Sequence, residues 1–358
     1  MAGNHGGGQR GAELSLAENP ANTLAPAAPL WIAQQLEGLL AQPGHAWLLA
    51  GPSGLGQYRL AFELVRAWLC ERPSTHGACG ECTSCHAIDV RTHADLCVLM
   101  PETVMIELGW PLGEKAQSDI DDKKRKASKE IRVDAMREAI EFSQRTSARG
   151  RGKAVLVFPA ERMNHITANA LLKTLEEPPG DVKFVLASES AHQLLPTIRS
   201  RCLGHTMLWP MAEAALSWLQ KQGVKDDAAV MLLRASGARP EDVLQFIASG
   251  RDPASWAALP KAMQRGDISI LKDWTPVQTI DALQKLCHDL MAQKAGAAPR
   301  FFEPAHLPLP AVAPSMAGLG QWSKDLAAAT RTMDHPFNAG LMMEALVSQA
   351  KNTLNSRQ

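Results

Sequence analysis

The chain runs to 358 residues, more than one hydrophobic core usually organises, so two or three domains are expected. Hydrophobic residues make up 46% and charged residues 21%, the balance of a soluble globular protein, which argues against a disordered or membrane-embedded chain. The 37 Lys and Arg residues equal the 37 Asp and Glu residues, which argues against a dedicated polyanion coat but leaves room for a local basic patch.

Residues 1–25 are rich in Gly and lack the apolar stretch of a signal peptide, so a disordered tail is expected. No later segment carries the about 18 uninterrupted apolar residues of a membrane span. A cytoplasmic protein is therefore expected, in which the seven cysteines read as thiols or metal ligands, not disulfides. The apolar run Ala46 to Ala50 leads into Gly51-Pro-Ser-Gly-Leu-Gly56 and then into Leu60 to Leu69, whose apolar positions recur at helical spacing. That order predicts strand, glycine loop, helix. A cysteine-rich module over about 70–97 follows, then a charged insert over about 102–130. Its stretch Glu114 to Glu130 includes Lys123-Lys-Arg-Lys126 and has few apolar anchors, which predicts a surface loop.

Val133 to Phe142 has helical periodicity, Ala154 to Phe158 is an apolar run suited to a buried parallel strand, and Ile166 to Glu177 reads as a helix stopped by Pro178-Pro179. Lys183 to Ala187 predicts a further buried strand. Strands alternating with helices predict a parallel, three-layered α/β domain over 26–208. Beyond Pro210 the strand signals vanish: 211–250 reads as a small helical unit and 254–358 as a helical bundle containing the Pro-rich loop Pro304 to Pro314.

The pattern G-x-x-x-x-G-K-[ST] binds nucleotide because backbone N–H groups and a helix N-terminus cradle the phosphates, Lys neutralises them and a hydroxyl holds Mg²⁺. Here Gly51 and Gly56 keep the glycine frame, but Gln57 stands at the Lys position and Tyr58, the one tyrosine of the chain, at the hydroxyl position. Losing one charge contact at about 4 Å forfeits up to roughly 4 kcal/mol, or about a thousandfold in affinity. An Asp-Glu pair should end a buried strand to hold Mg²⁺ and position water. The strand at Val155 instead runs into Phe158-Pro159, with Glu161 past its end. No ATP binding is expected at this degenerate loop; the plain alternative is an ordinary strand-to-helix turn.

Cys79-x2-Cys82-x2-Cys85, with Cys70 upstream, has the spacing of a closed tetrahedral Zn²⁺ site, each sulfur about 2.3 Å from the metal. Cys97, His76, His86 and His93 compete with Cys70 for the fourth position. A closed four-cysteine site leaves no open coordination position, so its expected job is structural.

Ala168-Asn-Ala-Leu-Leu-Lys-Thr-Leu-Glu-Glu-Pro-Pro179, then Phe184-Val-Leu-Ala187 and Thr197-Ile-Arg-Ser-Arg-Cys202, resemble the AAA+ clamp-loader ATPases of bacterial DNA polymerase III. Within that family the altered phosphate loop, the missing Asp-Glu pair and the four-cysteine insert are similar to its non-hydrolysing stator and not to active gamma/tau. The resemblance covers roughly residues 30 to 250, and beyond them rests on Asn338-x2-Leu341-x2-Glu344-x-Leu346. It implies an AAA+ P-loop core with a zinc-binding insert, a helical lid and an all-α C-terminal collar, assembled with delta and gamma/tau to load the sliding clamp onto primed DNA.

It also implies that Arg201, in Ser200-Arg201-Cys202, reaches a neighbouring gamma/tau ATP site as an arginine finger, with Arg199 beside it. A guanidinium suits that task because it is planar and permanently charged. Capping a helix C-terminus is the alternative for Arg201. Ser188 falls where the family's first sensor residue lies, and around Arg239 the second sensor arginine is expected to be displaced or missing. The insert over 102–130 is longer than the family suggests. Its basic stretch Lys123 to Lys126, like Arg145 to Lys153, could touch DNA phosphates, though a solvated loop is the preferred reading. A weakly active ATPase of the gamma/tau type and a zinc-dependent nucleic-acid-binding module are the competing functions.

Overall fold

The computed structural model describes residues 28–308, 314–331 and 338–356, so the tail expected at 1–25 lies outside the described residues. In chain order the first half comprises α1 (Leu30–Leu40), β1 (Ala46–Ala50), α2 (Gln57–Leu69), α3 (Thr83–Asp89), β2 (Leu96–Leu99), α4 (Glu102–Glu107), α5 (Glu114–Asp121), α6 (Val133–Gln144), β3 (Lys153–Val157), α7 (His165–Glu176), β4 (Val182–Ser188), α8 (Pro196–Arg199) and β5 (Leu203–Thr206). The strands form one parallel sheet in the order β2-β3-β4-β1-β5, with Ala46 opposite Phe184 and Trp47 opposite Leu203.

β1, β3 and β4 occupy the middle of this sheet and are covered on both faces, which is why their sequences are apolar without alternation. Successive residues nevertheless point to opposite layers. Leu49, Leu156 and Val185 join α1 and α2 on one side, while Leu48, Val155 and Phe184 join α6 and α7 on the other. This is the expected three-layered parallel domain.

Two features differ from the sequence expectation. β5 forms a fifth strand at the sheet edge; three of its four residues are exposed, so no apolar run announced it. The stretch Glu114 to Glu130 lies at the surface as expected but is not a plain loop, since it opens with α5, and α4 precedes it within the insert. Glu102 organises it: the carboxylate takes two bonds from the Arg125 guanidinium at 2.5 and 2.8 Å and a third from Ser128 N–H at 2.8 Å, with Arg132 3.6 Å away. These partners hold Glu102 below the usual carboxylate range, Arg125 foremost. Internal pairing of charges joins a few apolar anchors, Val104, Met105 and Leu108 with buried Trp110, in holding the insert.

The second half is helical: α9 (Ala212–Lys221), α10 (Asp226–Ala235), α11 (Pro240–Ala248), α12 (Pro253–Arg265), α13 (Pro276–Lys294), α14 (Met316–Arg331) and α15 (Ala339–Leu354). One continuous apolar core runs from Leu219 and Phe246 to Leu354, built around Trp256, which stacks on Phe302 at 4.5 Å. Thr275 and Gln278 close α13 with a reciprocal capping box. Fully buried Asp289 accepts the N–H groups of Arg300, Phe301 and Phe302 at 2.7–2.9 Å and thereby fixes the turn that delivers Phe302 to the core.

Candidate functional site

The glycine loop joins β1 to α2 with Gly54 and Gly56 in the left-handed region, at φ 79° and 92°, where a side chain is strained. Gln57 opens α2 and is 2% exposed. Its Nε2 donates to the carbonyls of Gly51 at 2.7 Å and Pro52 at 2.6 Å, so the amide braces the loop from inside where a Lys would reach outward to phosphate. Tyr58 turns to the other side. Its ring lies 5.4 Å from Phe158 at the end of β3 and 6.0 Å from Phe62, and its hydroxyl accepts the indole N–H of Trp110 at 2.8 Å. Burial pushes the Tyr58 phenol up from its ordinary value, so it is a neutral group at pH 7. Trp110 comes from the charged insert, is 7% exposed, and lies under the Arg91 guanidinium, which also donates to Gly109 O. The insert is thus keyed into the space between phosphate loop and strand end.

The remaining rim is acidic. Glu161 accepts the Glu189 N–H at 3.1 Å, and Glu241 and Asp242 enter from the first turn of α11. Burial, with Glu161, Asp242 and Glu241 nearby, pushes Glu189 up to about 7; burial does the same for Glu241, and Asp242 is also raised, chiefly by burial. Burial and the crowding of four carboxyl groups around one loop keep protons on part of this rim, and each one that ionises there opposes a polyphosphate. Ser188 is fully buried at the end of β4, its hydroxyl accepting Ser190 N–H at 3.2 Å. Arg239 reaches back to the loop, 2.9 Å from Ser53 Oγ and 2.9 Å from Asp242. Beside this contact opens a cleft of about 420 Å³ lined by Pro52, Trp209, Arg239, Lys285 and Phe301 among others.

In the cysteine module the ligand atoms of Cys70, Cys79, Cys82 and Cys85 lie within 4.8 Å of one another. The Cys70 sulfur is 3.5 Å from that of Cys79 and 3.8 Å from that of Cys82, close to the separation of about 3.8 Å that Zn–S bonds of about 2.3 Å give at tetrahedral angles. Backbone N–H groups of Arg72 and Cys79 point at Cys70 Sγ at 3.4 and 3.3 Å, and that of Cys85 points at Cys82 Sγ at 3.4 Å. Such donors soften thiolate charge, and those of Glu81 and Cys82 draw the Cys79 thiol down to about 6. Of the competitors, Cys97 sits on β2 and His76 pairs with Glu37 at 2.7 Å, while the ring of His93 accepts the Asp95 N–H at 3.1 Å. None of the three joins the cluster, nor does His86. The donor set fits a tetrahedral, thiolate-preferring ion such as Zn²⁺.

The module is tied to the core by the stretch Arg145 to Lys153. Arg149 donates to Thr83 Oγ1 at 2.8 Å and lies 3.5 Å from Glu71, whose carboxylate also accepts Ser84 N–H at the start of α3. Asp95 accepts the N–H groups of Ala148 and Arg149 at 2.7 and 2.9 Å. Lys153 donates to Phe142 O at 2.9 Å. These cations serve the fold.

Arg201 follows α8 at the surface, its side chain 29% exposed. It donates through Nε and Nη2 to Glu176 at 3.2 and 3.0 Å and through Nη1 to Thr197 O at 3.1 Å. The carbonyl contact is that of a helix C-terminal cap. The ion pair is to a glutamate whose side chain is 60% exposed, an arrangement of about 0–1 kcal/mol that a partner could replace. Arg199 is exposed beside it.

Trp110, Glu189 and the Glu241-Asp242 pair were not singled out from the sequence. Tryptophans read as core, and acids in a first helical turn read as complements to the helix dipole. No helix among the described residues is long and apolar enough to cross a membrane.

A family model described as "DNA polymerase III, delta subunit" matches residues 33–207. The chain is similar to DNA polymerase III subunit delta' of Pseudomonas aeruginosa, 41% identical over 59% of this chain and 57% of that protein, so the match spans little more than half of that relative. Against DNA polymerase III subunit delta' of Escherichia coli it is 30% identical over 71% of this chain and 76% of that protein. DNA polymerase III subunit tau of Escherichia coli is 33% identical over 44% of this chain and 21% of the longer protein.

Proposed function

This chain belongs to the delta' family of DNA polymerase III subunits, and from that premise we propose that it is a non-hydrolysing stator of the clamp loader. In this reading it joins delta and gamma/tau in an AAA+ ring that places the sliding clamp on primed DNA, and Arg201 acts in trans on the ATP of a neighbouring gamma/tau subunit. The observation that carries it is the interior of the phosphate loop: Gln57 is bonded to the loop's own carbonyls, and Tyr58 is embedded among Phe62, Trp110 and Phe158. A chain with no cation and no short hydroxyl at those positions contributes to an ATP-driven machine through position, not through turnover. Helices 211–250 then serve as the lid and 254–358 as the collar. Cys70, Cys79, Cys82 and Cys85 hold one structural Zn²⁺, whose part is to replace an apolar core in a small module.

Reconstitution with delta and gamma/tau tests the reading. An arginine finger contributes 10³ to 10⁵ in rate at its own site. A fully assembled Arg201→Ala ring is therefore expected to lose the turnover of the one site beside this subunit, and with it most clamp loading, whereas Arg199→Ala does less. Undiminished loading by the assembled Arg201→Ala ring would remove the trans role, and failure to assemble would return Arg201 to its contacts with Thr197 and Glu176.

A further inference from the structure

The turn between α10 and α11 is built to reach the phosphate loop. Gly237 has φ 65°, and Ala238, a residue with a Cβ, is held at φ 66°, an uncommon and strained conformation for alanine. The strain aims the next residue, Arg239, back across the molecule: its Nη1 donates to Ser53 Oγ at 2.9 Å, its Nε to Ser236 O at 2.7 Å, and its Nη2 pairs with Asp242 at 2.9 Å. The α11 backbone also touches the loop, Glu241 N–H donating to Gly54 O at 3.3 Å. The fit leaves no room for a side chain at Gly54 and little at Gly56. A Cβ at Gly54 would stand 2.6 Å from Asp242 Cγ, and one at Gly56 would stand 3.1 Å from Glu241 Oε1.

We propose that the degenerate phosphate loop has a permanent internal occupant: the Arg239-Pro240-Glu241-Asp242 segment sits on Ser53 to Gly56 and clasps the α9–α11 layer to the sheet domain without nucleotide. The guanidinium neutralises the Asp242 carboxylate that would otherwise be left beside Glu161 and Glu189. The Asp242 carboxylate stands over the glycine frame, where a nucleotide's phosphates would have to approach. The clasp adds a second demand for glycine at Gly54, beyond its left-handed φ, because a Cβ there would meet Asp242 Oδ1 at a separation shorter than contact and Arg239 Cβ at 2.9 Å. The proposal extends the stator reading by giving a physical reason for a lid that does not open and close with ATP, and it can fail while that reading stands, since its test needs no partner subunits.

Amide hydrogen exchange on the full zinc-loaded chain is the measurement, comparing wild type with Asp242→Ala. Exchange at residues 53–57 and 241–244 is expected to rise at least tenfold in the variant, while Val155, Leu156 and Val185 in the sheet keep wild-type protection. No change at the loop overturns the clasp, and so does a uniform rise that includes the sheet. A second arm asks whether the segment excludes phosphates. Gln57→Lys, which restores the loop's cation with the clasp in place, is expected to bind ATP·Mg²⁺ less than threefold more tightly than wild type. Binding strengthened a hundredfold or more by Gln57→Lys alone also overturns the proposal.

Discussion

The cysteine module and the glycine loop start from the same device, a short backbone turn whose N–H groups face a place for a charged guest. In the module the turn kept both its geometry and its guest chemistry: four sulfurs converge, and the N–H groups of Arg72, Cys79 and Cys85 point at sulfur. In the glycine loop only the geometry remains. Gln57 fills the interior, aromatic rings close the side toward β3, and carboxylates from α11 close the other. The two differ in what faces the turn: sulfurs in the module, and in the glycine loop an amide, aromatic rings and carboxyl groups of the same chain. Glycines are therefore weaker evidence of binding than the charged atoms beside them.

The largest effect is expected at the cysteine cluster. Zinc binding in small modules contributes on the order of 10–16 kcal/mol, so Cys82→Ser and Cys70→Ser are each expected to lose stoichiometric zinc and to expose the module to protease. Cys97→Ser is expected to keep both, because Cys97 is on β2 and outside the cluster. Elemental analysis of the purified variants decides it; full zinc in Cys70→Ser, or none in Cys97→Ser, reverses the ligand assignment.

A smaller effect is expected beside the glycine loop. Trp110 is nearly buried and its indole N–H bonds Tyr58, so Trp110→Ala is expected to cost about 3–5 kcal/mol and to unfold the insert. Trp209, 47% exposed, is expected to cost far less when changed to Ala, about 0.5 kcal/mol. Urea midpoints at constant slope measure both, and similar costs for the two would mean that the insert is not anchored on the closed loop.

What the sequence disclosed divides along physical lines. β1, β3 and β4 were readable because burial on both faces demands unbroken apolar runs, and the cysteine cluster because metal coordination demands fixed spacing. β5 was not, since Leu203-Gly-His-Thr206 lies on an edge and needs no apolar pattern. α4 and α5 were not, since much of their support comes from partners that meet only after folding, Glu102 with Arg125 and Val104 and Met105 with the distant core. The clasp was hidden for a related reason. Arg239, Glu241 and Asp242 look like an ordinary helix start, and their second partner, Ser53, is far away in sequence.

The subtlest expected difference concerns pH. Burial raises Glu241 from an ordinary value of 4.5 to about 7 in the fold, with Arg59 acting against the shift and Asp242 with it, and Glu189 is likewise raised to about 7. Between pH 4.5 and 7 the unfolded chain has released these protons while the folded chain retains them. The unfolded state therefore binds fewer protons, and stability falls as pH rises through this window by up to about 1.4 kcal/mol per unit per group. Above pH 7 both states are ionised at these sites and their contribution levels off. Asp242 is raised as well, so Glu241→Gln, which keeps the shape and the backbone bond to Gly54, removes one of three such carboxyl groups. It is expected to match wild type near pH 4.5, to lose stability less steeply up to pH 7, and to be about 1–2 kcal/mol more stable at pH 8 after allowance for partial solvent exposure. Denaturant midpoints across pH 4.5–8 check this. Parallel curves for the two proteins would mean that Glu241 is not forced into a dry site against the loop, and the acidic closure of the glycine frame would then rest on Glu189 and Asp242 alone.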